Sequence, residues 1–417
     1  MSANSKRAAH EAPTVSAPLA AEAAATRRTV LWLVAGMLML QPLATDLYLP
    51  TLPLIATRFA ATTAQVQLTL SLFIVTFGVW QLVAGPLSDR FGRLPVALGG
   101  IGIYAVASIV CAAAPSIEVL IAGRVLQAIG ACSCVVTTRA YVRDLYTPDE
   151  GARLLAAASS IMALGPLFGP LLGAVLAERF GWRAAFAVLA LFSAALLVAS
   201  VLHLAESNVA RNPRALHFGP MRAAAAQILR SPTFRAYAFA ATASYSGLFA
   251  YLSGSSFVLM RVFGLSPTAY GVLFATMPVG YLAGTMAAHR MLARHPIKRT
   301  VSVGIGLLLV SGVSMAVLAI AGVHHPAAIV VPMVGFGAGH GFTQPASMTG
   351  AIAPFPQHAG LASALLGVLM MASAATVGFV IGATYNGTVY PLTFTICAMS
   401  LVALVVGVTL VRKQGHV

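Results

Sequence analysis

The chain of 417 residues is 59% apolar and only 8% charged, with a mean hydropathy of +0.88, whereas an ordinary soluble domain is about 45–50% apolar and about 25% charged. So few charges cannot cover a globular body of this size, so most of the outer surface faces lipid and a soluble enzyme is excluded. The net charge of +15 would suit a nucleic-acid partner only if the basic residues clustered on one surface; they are strung between apolar segments instead, so no nucleic-acid partner is expected.

Residues 1–28 are rich in Ala, Ser and Pro and carry Lys6, Arg7, Arg27 and Arg28. No apolar stretch follows the first basic pair, as a cleavable signal would require, and the segment reads as a disordered cytoplasmic tail. Twelve apolar segments follow, near 30–50, 66–86, 95–114, 117–138, 154–177, 184–204, 236–258, 269–289, 300–322, 327–348, 360–384 and 389–411. Each approaches or exceeds the ~20 residues that a helix needs to cross about 30 Å of hydrocarbon. Backbone amides in lipid must be satisfied within their own segment, so these are helices.

Lys and Arg set the orientation. With the N-terminus inside, twenty of the twenty-five lie on the cytoplasmic side, only Arg58, Arg179, Arg183 and Arg261 lie opposite, and Arg124 falls within a span. That asymmetry predicts that both termini are cytoplasmic. The stretch from 205 to 235 holds five arginines and divides the chain into an N-terminal six-helix half (29–205), a central cytoplasmic loop (206–234), a C-terminal six-helix half (235–411) and a cytoplasmic tail (412–417). A faint echo relates the halves, since Pro148-Asp149-Glu150-Gly151 precedes the fifth segment and Pro356-Gln357-His358-Ala359-Gly360 the eleventh. The expected fold is an all-α membrane protein with twelve transmembrane helices in two halves that rock about a midplane site.

The four cysteines, Cys111, Cys132, Cys134 and Cys397, all lie inside apolar runs and offer neither a disulfide framework nor a metal site; no cofactor is expected. An ionisable group at membrane depth costs ~3 kcal/mol or more on insertion scales and persists for a reason. Three such groups stand out: Asp46, Arg124 and His340. All ten carboxylates lie between Glu11 and Glu206, so carboxylate proton chemistry belongs to the first half, where Asp46 is the one acid well inside a span. Asp46 and Arg124 are expected at depths matching within about a turn, as a pair able to load and release a proton in a pocket of changing hydration. A static ion pair, or an Asp bonded to backbone near Pro50, is the alternative. His340 sits in Gly335-Phe336-Gly337-Ala338-Gly339-His340-Gly341, where close helix packing explains the glycines and the histidine reads either as a neutral hydrogen-bonded group or as a substrate contact.

Between the second and third segments stands Gly85-Pro86-Leu87-Ser88-Asp89-Arg90-Phe91-Gly92-Arg93-Leu94-Pro95. Glycine permits the sharp turn, and Asp89, Arg90 and Arg93 can make charge-assisted bonds that hold neighbouring helices until the state changes. This resembles the signature of the major facilitator superfamily, departing from it at Leu94, where another basic residue is usual. Arg124-Val125-Leu126-Gln127-Ala128-Ile129-Gly130 is similar to the superfamily's second motif, whose arginine is implicated in proton coupling. Gly165-Pro166-Leu167-Phe168-Gly169-Pro170-Leu171-Leu172-Gly173 is similar to the motif of its antiporters, with Pro170 where the general motif has Gly. Together with Ala44-Thr45-Asp46-Leu47-Tyr48-Leu49-Pro50 and Arg143-Asp144-Leu145-Tyr146, these segments resemble the Bcr/CflA branch of twelve-span drug:proton antiporters, which includes bicyclomycin and chloramphenicol exporters.

The resemblance implies the major facilitator fold, an inner-membrane location and alternating access, in which a drug-like small molecule leaves in exchange for protons, driven by the proton gradient without a cofactor, through a monomer embedded in the bilayer. It implies proton coupling at Asp46 and Arg124, a gate at Gly85, Asp89, Arg90, Gly92 and Arg93, and an antiporter motif at Gly165, Pro166, Gly169, Pro170 and Gly173. Helix position suggests a substrate pocket at Tyr245, Phe249, Tyr281, His340 and Gln344, where aromatic faces with a few polar groups suit amphipathic ligands. A metabolite exporter or proton symporter of the same superfamily is the alternative. A membrane enzyme would need a nucleophile with its base or a metal-ligand set, and the sequence contains no HExxH.

Overall fold

The computed structural model describes residues 17–208, 211–213 and 218–411; for 17–26, 218 and 220 it describes the helix but not the side chains. Among the described residues the chain is helical throughout. The first half comprises α1 (Ala17–Asp46), α2 (Leu52–Arg58), α3 (Thr63–Phe91), α4 (Arg93–Ala113), α5 (Ile117–Leu145), α6 (Pro148–Met162), α7 (Leu164–Phe180) and α8 (Arg183–His203). The second comprises α9 (Phe218–Arg230), α10 (Pro232–Ser256), α11 (Pro267–Phe274), α12 (Thr276–Leu292), α13 (Ile297–Ile320), α14 (Ala327–Ile352), α15 (Ala359–Thr384) and α16 (Tyr390–Val406).

Two boundaries differ from the sequence expectation. The first helix begins at Ala17, inside the stretch assigned to the tail, and Arg27 reaches Glu150 of α6 at 2.6 Å; residues 1–16 and the tail at 412–417 lie outside the described residues. The central loop is not all loop, because α9 occupies Phe218–Arg230, where an Ala-rich run favours helix.

Helix starts follow their caps. Thr62 accepts from Gln65 N in a capping box, and Ser116, Thr147, Ser231 and Ser266 each accept an amide at the start of α5, α6, α10 and α11. Two apolar segments are broken in the middle. Pro166 cannot donate to the carbonyl of Met162, nor Pro278 to that of Phe274, and these are the residues where α6 and α11 stop before α7 and α12 resume.

Among the described residues, ten helical stretches are long and apolar enough to cross a membrane. Two other long helices, α10 and α14, fall outside that set, and they are among the most enclosed: 17 of the 25 residues of α10 and 16 of the 26 of α14 are buried. Their serines, glycines, His340 and Gln344 therefore face protein, where a polar group finds partners that lipid cannot offer. Within each half the helices approach backbone to backbone. A Cβ on Gly130 would meet the Tyr104 amide of α4, and one on Gly337 the Met277 carbonyl of α12. Across the halves, α3 lies along α15 and α7 along α11, where Gly271 sits against the Pro170 carbonyl.

Candidate functional site

Asp46 ends α1 and is 4% exposed. It is seated by the glycine ladder of α7: Gly165 faces Pro42, Gly169 faces the Asp46 Cβ, and Gly173 lies against the Leu47 carbonyl. Glycines four apart present one smooth face, so the antiporter-like motif brings α7 against the carboxylate-bearing turn of α1. Thr45 Oγ1 donates to Asp46 Oδ1 at 3.1 Å, while Oδ2 has no hydrogen-bond partner. The turn that follows it, Leu49–Thr51, packs against α10 and α11 of the opposite half, and α7 lies along α11.

The expected Asp46–Arg124 ion pair does not form. Arg124 is fully buried, and its guanidinium lies 4.7 Å from the centre of the Tyr48 ring and 4.2 Å from that of Phe73. Nη1 donates to Gln127 Oε1 at 2.5 Å, Nε to the Thr69 carbonyl at 3.4 Å, and Nη2 has no hydrogen-bond partner. Asp46 meets α7, whereas Tyr48, two residues on, bonds to Thr69 Oγ1 of α3 at 2.6 Å. It is this ring that takes the arginine. Matching depth along two helices says nothing about which face each presents, and the cation is held by aromatic faces and neutral oxygens.

Three residues expected in a substrate pocket come together in the second half. His340 Nδ1 is hydrogen-bonded to Ser244 Oγ at 2.8 Å, and its ring lies 6.3 Å from that of Tyr245 and 5.5 Å from that of Tyr281. Gln344, one turn from His340, donates to Met370 Sδ at 3.3 Å and keeps an unpartnered buried Oε1. Phe249 turns away from this cluster, toward Gly378 of α15.

At the end of the molecule where the basic loops gather, Arg93 Nη1 donates to Asp89 Oδ1 at 2.5 Å and to Ser88 Oγ at 2.8 Å, while Nε donates to Asp144 Oδ2 at 2.8 Å. Gly92, at φ +109°, makes the turn and leaves room for Glu206. Glu206 accepts from the amides of Arg93 (2.8 Å), Leu94 (3.2 Å) and Asn208 (2.8 Å), a carboxylate on a helix N-terminus. Asn208 Nδ2 in turn donates to the Asp89 carbonyl at 3.1 Å. Glu206 and Asn208 were missed in the sequence, where their only signal is an acid just after the sixth segment. Arg90 stays outside the cluster, exposed over its neighbour Phe91, and Gly85 lines a cavity.

That cavity, about 380 Å³, opens at the basic end between α3, α5 and α15. At the opposite end the halves are joined. Arg261 Nη2 donates to the Pro53 carbonyl at 2.9 Å and to Thr57 Oγ1 at 3.1 Å, Gln67 donates to the Ser253 carbonyl, and Thr268 to Glu178.

The chain matches the sequence profile of the Major Facilitator Superfamily over residues 34–379. It is 30% identical over 391 residues to a chloramphenicol resistance protein of Pseudomonas aeruginosa, covering 91% of each chain. To a bicyclomycin resistance protein homolog of Haemophilus influenzae it is 26% identical over 369 residues, 88% of this chain and 92% of that one. A bacterial homolog of the human lysosomal transporter Spinster, in an inward-facing and unoccupied conformation, superposes with a TM-score of 0.71 at 16% identity, covering 93% of this chain and 96% of that one.

Proposed function

The chain belongs to the Major Facilitator Superfamily, and from that premise we propose that it exports drugs or other small amphipathic compounds in exchange for protons, by alternating access. It is a transporter rather than an enzyme, a multi-pass protein of the bacterial inner membrane. On this reading the ten apolar helices and the two enclosed ones, α10 and α14, make twelve spans. The basic end, with both termini, faces the cytoplasm, as the twenty-to-four distribution of Lys and Arg favours.

The observation that carries the reading is Asp46. It is a buried acid with one carboxylate oxygen unpartnered, set on the glycine face of α7, which itself lies along α11 of the other half. Protonation there changes the charge at a junction between halves, so proton binding and rearrangement are coupled in one place. A ligand shifts the balance of two states only by its differential affinity for them. Substrate drawn from the cytoplasmic side favours deprotonated Asp46, and a proton from outside favours release and return. The joined outer end and the open basic end suit the first of these steps. Arg124 acts on the site through Tyr48, whose ring carries its guanidinium two residues from Asp46. Substrate packs on the Tyr245, Tyr281 and His340 rings, with Gln344 offering a free acceptor.

One proton crossing ~100 mV supplies about 2.3 kcal/mol, and each pH unit adds about 1.4 kcal/mol. That sustains more than a tenfold gradient of a neutral drug. The names of the relatives, which are chloramphenicol and bicyclomycin resistance proteins, support drug export over metabolite transport. In everted vesicles, drug uptake should require an inside-acid gradient and release protons. Asp46→Asn, inserted at normal levels, should lose both, and a variant that keeps full drug resistance and proton exchange would overturn the assignment.

A further inference from the structure

We propose that the cavity at the basic end is a binding site for amphipathic anions, recognised by Arg139 and Arg143 of α5. The two arginines are one helical turn apart, hence on one face, and both are exposed and line the cavity. The third arginine of the lining, Arg93, is already paired with Asp89 and Asp144. Arg139 has no hydrogen bond or ion pair among the described residues, and Arg143 has only a 3.8 Å approach to Asp144 Oδ1, whose other oxygen Arg93 holds. Asp89, the one acid of the lining, is likewise committed to Arg93. Two guanidiniums therefore face the space without a carboxylate of their own.

Beside the polar Gln81, Ser88 and Ser363, the wall has an apolar part made by Leu82 of α3, Val136 of α5 and Leu361 of α15. Its volume of about 380 Å³ falls in the range of pockets that take small molecules, about 300–1,000 Å³. A fork of N–H donors matches the oxygens of a phosphate, sulfonate or carboxylate, and the apolar wall takes the body attached to it. A neutral or cationic ligand would leave both charges uncompensated. The same chemistry is offered by two sources: the headgroup of an acidic phospholipid, or a soluble amphipathic anion from the water on that side. Because α15 belongs to the second half and α3 and α5 to the first, an occupant bridges the halves where they stand apart.

Binding here is read at equilibrium without a proton gradient and depends on Arg139 and Arg143, so its failure and the failure of the proton-coupled reading are distinguishable. The test uses the full-length protein in neutral detergent micelles without a pH gradient. Equilibrium dialysis compares 1-naphthyl phosphate with 1-naphthol, and native mass spectrometry compares retention of dioleoyl phosphatidylglycerol with that of dioleoyl phosphatidylcholine. At least one anion should be preferred over its uncharged or zwitterionic counterpart by tenfold or more, with an affinity that falls as salt is added. Preference for naphthyl phosphate assigns the site to soluble anions; preference for phosphatidylglycerol alone assigns it to lipid headgroups. The double variant Arg139→Gln, Arg143→Gln should lose the preference, and Arg139→Lys with Arg143→Lys should retain most of it. The proposal is overturned if neither anion is preferred, if the parent's binding is insensitive to salt, or if the double Gln variant, with an unchanged melting temperature, binds as tightly as before.

Discussion

Gly169 of α7 faces Asp46 of α1 so closely that a methyl group in place of its hydrogen would come within 2.9 Å of the Asp46 Cβ and 3.6 Å of the Leu47 amide. The neighbour on this side is the Cβ of a short side chain at the end of a helix, so it has little freedom to yield. Gly169→Ala should therefore displace the α1 terminus, at a cost of about 1–3 kcal/mol typical of overpacking. Drug-dependent proton release should fall at least tenfold while the protein still reaches the membrane. Gly181→Ala at the far end of α7 meets no neighbour but sits at φ +81°, so it should cost stability without changing the ratio of protons to drug.

Arg124 is held by ring faces, and that makes its replacement informative. Arg124→Lys keeps a charge but loses the flat guanidinium that lies over Phe73 and Tyr48, and an ammonium is poorly suited to that slot. Tyr48→Phe keeps the ring and removes the hydrogen bond to Thr69, worth about 1 kcal/mol. Transport assays on both should rank Arg124→Lys as the more damaging by tenfold or more. The reverse order would place the function in the Tyr48 hydroxyl.

The architecture was readable because lipid forces a simple rule on the sequence: an apolar run of about twenty residues becomes a helix. All the expected segments are helical, and even the breaks at Ala163 and Ala275 trace to Pro166 and Pro278. What the pattern did not carry was facing. In a helix apolar on nearly every side, nothing in the residue order says that Asp46 turns to α7 while Arg124 turns to Tyr48, and so the ion pair inferred from depth was wrong. Tyr245, Tyr281 and His340 do meet, because each lies on the enclosed helices α10 and α14 or on α12 packed beside them. Glu206 escaped notice for a different reason: its partners are backbone amides of Arg93 and Leu94, more than a hundred positions away, which leave no trace in side-chain identity.

Glu206 should act as a clasp on the turn at Gly92. Its carboxylate satisfies two of the four orphan amides of α4 and lies on the positive end of that helix. Glu206→Ala should lower stability by about 1 kcal/mol, the usual loss for a helix cap. It should also loosen Arg93 from Asp89 and Asp144, seen as faster labelling of a cysteine placed at Ser88. Glu206→Gln keeps one acceptor oxygen and should fall between.

Across the molecule, Arg261 ties the π-helical end of α10 to α2 through the Pro53 carbonyl and Thr57 Oγ1, with its guanidinium 5.5 Å from the Phe257 ring. On the proposed alternating-access reading, with the basic end cytoplasmic, these bonds hold the outer end closed and weigh on the equilibrium between the two states rather than on folding of either half. Each net hydrogen bond is worth roughly 1 kcal/mol, so Arg261→Ala should favour outward opening by roughly fivefold or more. A cysteine at Ser253, whose carbonyl now accepts from Gln67 across the interface, reports this: labelling by a membrane-impermeant maleimide from outside should rise by about that factor. Arg261→Lys, which can keep one of the two bonds, should give a smaller rise. Unchanged labelling in Arg261→Ala would show that Gln67 with Ser253 and Thr268 with Glu178 hold the outer end by themselves.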